Sequence, residues 1–207
     1  MSKQIYYTMI GSRSTPKDVM ELMTKFAEKA CKFNYIGRSG GADGADTCLE
    51  EGVENYLRSC EESCPEHFME VYLPWKDFNG RDSLGGGYYT LPWMDNKQAA
   101  VNIASTIHPK WSLDLKVESC EIPKPKNWKP MKQGAKHLHT RNVYQLLGQD
   151  LNTPSRFVIC YAEPQGKDGH VKGGTATAVK LGINNGVEII NLYHKDQRKR
   201  VEDWVSK

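Results

Sequence analysis

Two rhythms alternate along the chain: short runs of β-branched and aromatic residues, and longer stretches with apolar residues three and four apart. Residues 4–10 (QIYYTMI) predict a buried first strand that ends at Gly11. Val19, Met20, Leu22, Met23, Phe26, Ala27 and Ala30 then follow helical spacing, with Ser14 or Thr15 before Pro16 as the expected cap and an end before Asn34. Residues 35–37 predict a brief second strand. Ala45, Cys48, Leu49, Val53 and Leu57 predict the helix after it, and residues 68–73 (FMEVYL) a third strand closed by Pro74 and Trp75.

From residue 77 to 87 the chain is polar and glycine-rich and reads as a loop. Residues 96–107 suit a helix broken at His108-Pro109. Residues 121–130 carry Pro123, Pro125 and Pro130 among lysines, so an exposed excursion is expected, spanning about residues 76–133. Helical periodicity resumes over residues 134–147. The plainest strand, residues 157–162 (FVICYA), is expected at the centre of the sheet. After a loop over residues 163–172 come a glycine turn, a helix through Ala178 and Leu181, a strand at residues 187–192 (VEIINL), and a short terminal helix over residues 198–205. This alternation predicts an α/β fold: a single Rossmann-like domain over residues 1–207, with a mainly parallel sheet, helices on both faces and an irregular middle excursion.

Charge and cysteine content narrow the function classes. The 28 Lys and Arg against 25 Asp and Glu leave a net charge of +3, with no basic block, which does not announce a nucleic-acid protein. No signal peptide and no membrane span is visible, so a cytoplasmic protein is expected. The 6 cysteines read as reduced thiols. Cys60 and Cys64 would need two more ligands for zinc, with His67 the one near candidate, so no metal is expected.

The candidate chemistry lies at strand ends, where helix N-termini present free N–H groups. Gly40, Gly41 and Gly44 of RSGGADGAD remove Cβ atoms that would hold a phosphate or ribose away, and Asp43 and Asp46 can accept from hydroxyls. The same glycines also permit a tight strand-to-helix turn with Asp46 as cap. Gly173, Gly174, Thr175 and Thr177 of KGGTATAV repeat the arrangement. Neither turn is G-x-G-x-x-G or a P-loop, so neither a dinucleotide cofactor nor ATP hydrolysis is expected and no cofactor is assigned. Gly11, Ser12 and Arg13 follow the first strand, where the guanidinium can fork onto a phosphate. Arg141 and Asn142 share a helical segment with His137 and His139, and the spacing puts His137 and Arg141 on one face, which also suits a solvated polar surface. Trp75, Trp93, Trp111, Trp128, Tyr88 and Tyr89 fall in the irregular middle, where packing is the expected use for most.

Taken together, GSR, RSGGADGAD, LHTRNVYQLLG and GGTATAV, with YLPW and TIHPKW between them, resemble the SLOG superfamily, which joins the DprA-like and LOG-like Rossmann folds. The likeness runs from Tyr6 to Leu192 and is greatest to bacteriophage proteins labelled DprA-like recombination mediators. It implies a pocket for a nucleotide-derived small molecule built from Gly11, Ser12, Arg13, Gly40, Gly41, Asp43, Asp46, Arg141, Asn142, Gly173, Gly174, Thr175 and Thr177. It also implies a homo-oligomer. The superfamily includes N-glycosidic hydrolases of nucleoside monophosphates, sensors of nucleotide messengers and DNA-binding mediators.

The hydrolase pattern PGGxGTxxE places Ala176 at the later glycine and Lys180 at the glutamate. An ammonium group cannot stabilise an oxocarbenium-like state as a carboxylate does, so hydrolysis would have to enlist Asp43, Asp46 or another acid in that role. Single-stranded DNA as a partner would rest on the lysines between Lys124 and Lys136. The leading expectation is therefore a binding protein that recognises or sequesters a signalling nucleotide, a cyclic oligonucleotide or an ADP-ribose derivative, as a phage anti-defence protein would.

Overall fold

A computed structural model describes residues 4–60, 64–81, 85–166 and 168–207. Among them, strands β1 (Tyr6–Gly11), β2 (Ile36–Ser39), β3 (Met69–Leu73), β4 (Tyr88–Thr90), β5 (Phe157–Tyr161) and β6 (Glu188–Asn191) form one sheet. Its order is β4-β3-β2-β1-β5-β6, and every pair is parallel. The helices are α1 (Lys17–Lys32), α2 (Thr47–Cys60), α3 (Lys97–Ile107), α4 (Pro109–Glu118), α5 (Gln133–Leu147), α6 (Ala176–Asn184) and α7 (Lys195–Ser206). The chain thus has a Rossmann-like α/β arrangement. No described helix is long and apolar enough to cross a membrane.

Each face of the sheet carries its own core, as a parallel sheet buried on both sides requires. On one face α1 and α2 set Val19, Met23, Phe26, Leu49 and Val53 against Tyr7, Met9 and Val71, and α7 adds Val201. Tyr7 lies between Phe26 and Phe157, with ring centroids 5.5 and 5.7 Å away. On the other face α3, α5 and α6 bury Ala100, Ala104, Val143, Leu146, Ala178 and Val179 over Ile10, Val158 and Cys160. Helix α1 ends because Asn34 takes a left-handed φ of 56°. Tyr35 N then donates to Ala30 O at 3.1 Å and Asn34 N to Cys31 O at 2.8 Å, which satisfies the last carbonyls.

Four local expectations change. The cap of α1 is Pro16 with no side-chain bond; Thr15 Oγ1 instead donates to Ser12 O at 2.6 Å and Ser14 Oγ pairs with Ser12 Oγ at 2.8 Å, so both residues brace the loop after β1. Strand β5 sits between β1 and β6, one place from the edge, and β2 and β1 occupy the centre. Directly after the polar loop, where irregular chain was expected, stands edge strand β4, which pairs Val71 with Tyr88 and Leu73 with Thr90. His108-Pro109 ends α3 at Ile107 as expected, but a second helix follows at once where irregular chain was expected: Pro109 opens α4, and His108 Nδ1 accepts from Trp111 N at 3.3 Å.

The middle excursion is accordingly built into the domain. Helix α3 packs on α5, and Tyr144 Oη donates to Asn96 Oδ1 at 2.8 Å. The proline-rich stretch is tied down by the fully buried Asp114, which accepts from Met131 N at 2.7 Å and Trp128 Nε1 at 2.9 Å. Trp111 is buried in the core and Trp75 packs edge-on against Phe78.

Candidate functional site

The chain runs outward from β1 through β2 and β3 to β4, then returns to lay β5 on the opposite side of β1. Adjacent loops therefore leave β1 and β5 toward opposite faces, and a crevice opens where they part. Gly11 and Tyr161, the last residues of the two strands, are register partners. A cavity of about 680 Å³ lies above them. Gly11, Ser12 and Arg13 line one wall, Tyr161, Ala162 and Glu163 another, and Lys172, Gly173, Gly174 and Thr175 a third. Helix α5 closes the floor with His139, Arg141, Asn142 and Gln145, and Asp46 and Tyr193 also line the cavity.

An ion pair lies at the floor. Arg141 Nη1 is 3.4 Å from Asp46 Oδ2, and both side chains are buried. Asp46 Oδ1 accepts from Gly11 N at 3.3 Å, so both carboxylate oxygens are engaged. Burial pushes the Asp46 carboxyl up from its usual value, while Arg141 and the N–H groups of Ala42 and Gly11 pull it down. Burial likewise lowers the Arg141 guanidinium against the pull of Asp46. Among the described residues, Arg141 Nε and Gln145 Nε2 are buried without hydrogen-bond partners. The floor thus has more donors than acceptors, and Arg13 adds a like charge that further opposes Arg141. Arg13 itself is exposed and has no ion partner among the described residues.

The two glycine turns serve different ends. Gly40 leaves room for Arg141, whose Nη1 donates to Gly40 O and would lie 1.6 Å from a Cβ. Gly44, at φ +87°, lets the turn press on the β1 loop, because a Cβ there would meet Ser12 O at 2.6 Å and Arg13 Cα at 2.7 Å. Gly41 O accepts from Asn79 Nδ2 at 3.0 Å and Asp43 Oδ1 from the same nitrogen at 3.3 Å. Gly40, Gly41 and Asp43 consequently support the cavity from outside its lining. The second turn is open. Gly173, at φ +79°, and Gly174, with an ordinary φ, would present a Cβ to empty space. Asn142 Nδ2 fixes this turn by donating to Gly174 O at 2.8 Å, and Thr175, the cap of α6, makes no side-chain cap bond.

Of the expected site residues, Gly11, Ser12, Arg13, Asp46, Arg141, Asn142, Gly173, Gly174 and Thr175 meet in the cavity lining. Thr177 stands behind it and bonds His139 Nδ1 at 2.9 Å. His139, not His137, shares the cavity with Arg141; His137 instead bonds Gln133 on an exposed turn. Burial, with His108 and Arg141 nearby, lowers the His139 imidazole to about 4, so it is neutral at pH 7. Asp46 does not cap α2 with its carboxylate, which is spent on Gly11 and Arg141. Lys180 Nζ donates to Ile107 O at 3.2 Å, outside the lining.

Sequence reasoning missed Gln145, Tyr161, Glu163, Lys172 and Tyr193. The rings of Tyr161 and Tyr193 lie 5.7 Å apart, and Tyr193 is 47% exposed, so an aromatic face stands free at the rim. None of Trp75, Trp93, Trp111 and Trp128 lines the cavity. Among the described residues no group of three or more His, Cys, Asp or Glu side chains is placed to hold a metal ion. No protein-family model, curated protein or solved structure matches the chain.

Proposed function

We propose that the protein binds a nucleotide-derived small molecule in the crevice between β1 and β5 and holds it without cleaving it, as a member of the SLOG superfamily that recognises or sequesters a signalling nucleotide. The observation that carries this reading is the cationic character of the crevice: Arg141 lies on its floor, and the exposed Arg13 in its wall has no ion partner among the described residues. A guanidinium without a carboxylate partner can fork onto a phosphate. The open Gly173-Gly174-Thr175 turn faces the same space at the start of α6, where backbone and helix dipole favour an anion. Tyr193 offers a face on which a base stacks.

Binding is favoured over hydrolysis because Asp46, the floor carboxylate, has both oxygens engaged and sits under Arg141, and the other lining carboxylate, Glu163, is exposed at the rim and paired with Lys172. The test incubates the protein with cyclic oligonucleotides, ADP-ribose derivatives and nucleoside monophosphates, then identifies what is released on denaturation. Intact nucleotide supports the reading. Free base with ribose phosphate makes the protein a hydrolase, and retention of oligonucleotides alone, through the lysines between Lys124 and Lys136, makes it a single-strand binder.

A further inference from the structure

The carboxylates lining the cavity are Asp46 and Glu163, and they differ in what remains free. Asp46 is buried and has no oxygen to spare. Glu163 is 58% exposed at the rim; Lys172 Nζ donates to its Oε1, and among the described residues its Oε2 has no partner. Its position is fixed by backbone on both sides. Ala162, just before it, exchanges two bonds with Asn191, N to Oδ1 at 3.1 Å and Nδ2 to O at 2.8 Å. Glu163 O accepts from Lys172 N at 2.9 Å, and Pro164 bridges Val171, which is buried. Glu163 therefore lines the same cavity as Tyr161 and Tyr193, and its carboxylate is tied through Lys172 to the residue before Gly173 and Gly174.

An aromatic face, a free carboxylate oxygen and an anion-attracting turn that line one cavity match the base, sugar and phosphate of a nucleotide. A carboxylate only accepts hydrogen bonds, and a vicinal diol donates two from adjacent carbons. We infer that Glu163 reads the ribose, so that the cavity selects ribonucleotides over 2′-deoxyribonucleotides. Lys172, released as Glu163 turns to the diol, is free to meet the phosphate. This inference rests on the nucleotide reading above.

The test is competition on the full-length protein. Adenosine, guanosine, cytidine and uridine 5′-monophosphates and ADP-ribose are each mixed with the 2′-deoxy counterpart, and the retained fraction of each is measured for wild type, Glu163→Ala and Glu163→Gln. The wild type is expected to retain the ribo form at least about tenfold better. Glu163→Ala should level the pair without weakening the deoxy form, since Lys172 is freed, and Glu163→Gln should fall between. A purely structural role would weaken both forms together. Equal retention by the wild type, or a preference that survives Glu163→Ala, overturns the inference and leaves nucleotide binding standing. Retention of neither form overturns the inference, and overturns the nucleotide reading as well if the cyclic oligonucleotides of the panel above are also not retained.

Discussion

Arg141 and Asp46 lie 95 residues apart in the chain and meet at 3.4 Å beneath the crevice between β1 and β5, both cut off from solvent. Helix α5 from one face of the sheet and the turn before α2 from the other are joined there, and Gly11 N is drawn in by the same carboxylate. The pair ties the floor together, and Arg13 beside it supplies the site's excess positive charge.

Breaking this pair on one side leaves a buried charge. Asp46→Ala is expected to cost about 3–5 kcal/mol of stability, and Asp46→Ala with Arg141→Met should cost less than the sum of the single changes by at least about 1 kcal/mol. Urea denaturation of the four proteins in the cycle measures both. Strict additivity would show that the two side chains do not interact.

The glycines of the two turns should respond oppositely. Gly44→Ala forces a side chain into a left-handed backbone against Ser12 and Arg13, and a loss above about 2 kcal/mol is expected. Gly174→Ala meets nothing in the protein and should change stability by less than about 0.5 kcal/mol. Nucleotide affinity should nonetheless fall about tenfold or more, because the methyl occupies ligand space. Thermal melts and ligand titration on the two variants check this.

His139 ties stability to pH. Its imidazole titrates near 4 when folded and near 6.5 otherwise, so the unfolded chain binds more protons between those values. The contribution is complete above about 6.5 and is lost as the pH falls toward about 4, at no more than about 1.4 kcal/mol per pH unit. Denaturation midpoints at pH 7.5 and 5.0 should therefore converge in His139→Gln relative to wild type. An unchanged pH slope would place His139 in water.

Tyr193→Ala removes the exposed ring at the rim. Nucleotide affinity should fall by about 1–3 kcal/mol, the range for one base stacked on an aromatic side chain, while binding of inorganic pyrophosphate stays unchanged. Calorimetric titration with both ligands separates a base contact from a general loss of the cavity.

The elements with sustained periodicity were legible in the sequence: β1, α1, α2, α5 and β5 each bury most of the residues whose spacing predicted them, with Met20, Leu57 and Leu138 half-buried. Strand β4 was not, because three residues at a sheet edge carry no period of their own. Helix α4 was hidden by Pro109, which breaks a helix interior but suits its first turn. At the site, the motifs located the crevice but not the division of labour within it. Gly40 and Gly44 read the same as Gly173 and Gly174, and only tertiary contacts show that the first two face protein and the last two face open space. Arg141 was compatible with a wet surface, whereas α5 is buried from Thr140 to Leu147 and carries it inside. Glu163 and Tyr193 belong to no glycine motif; they reach the cavity because β5 and β6 end beside it.

The most direct test of the central claim compares wild type, Arg13→Ala and Gly174→Ala by native mass spectrometry after incubation with the nucleotide panel. The crevice between β1 and β5 predicts an intact nucleotide on the wild type at about one per chain, with occupancy reduced about tenfold or more in both variants while their melting temperatures stay unchanged. No retained nucleotide, or occupancy indifferent to both substitutions, would contradict it.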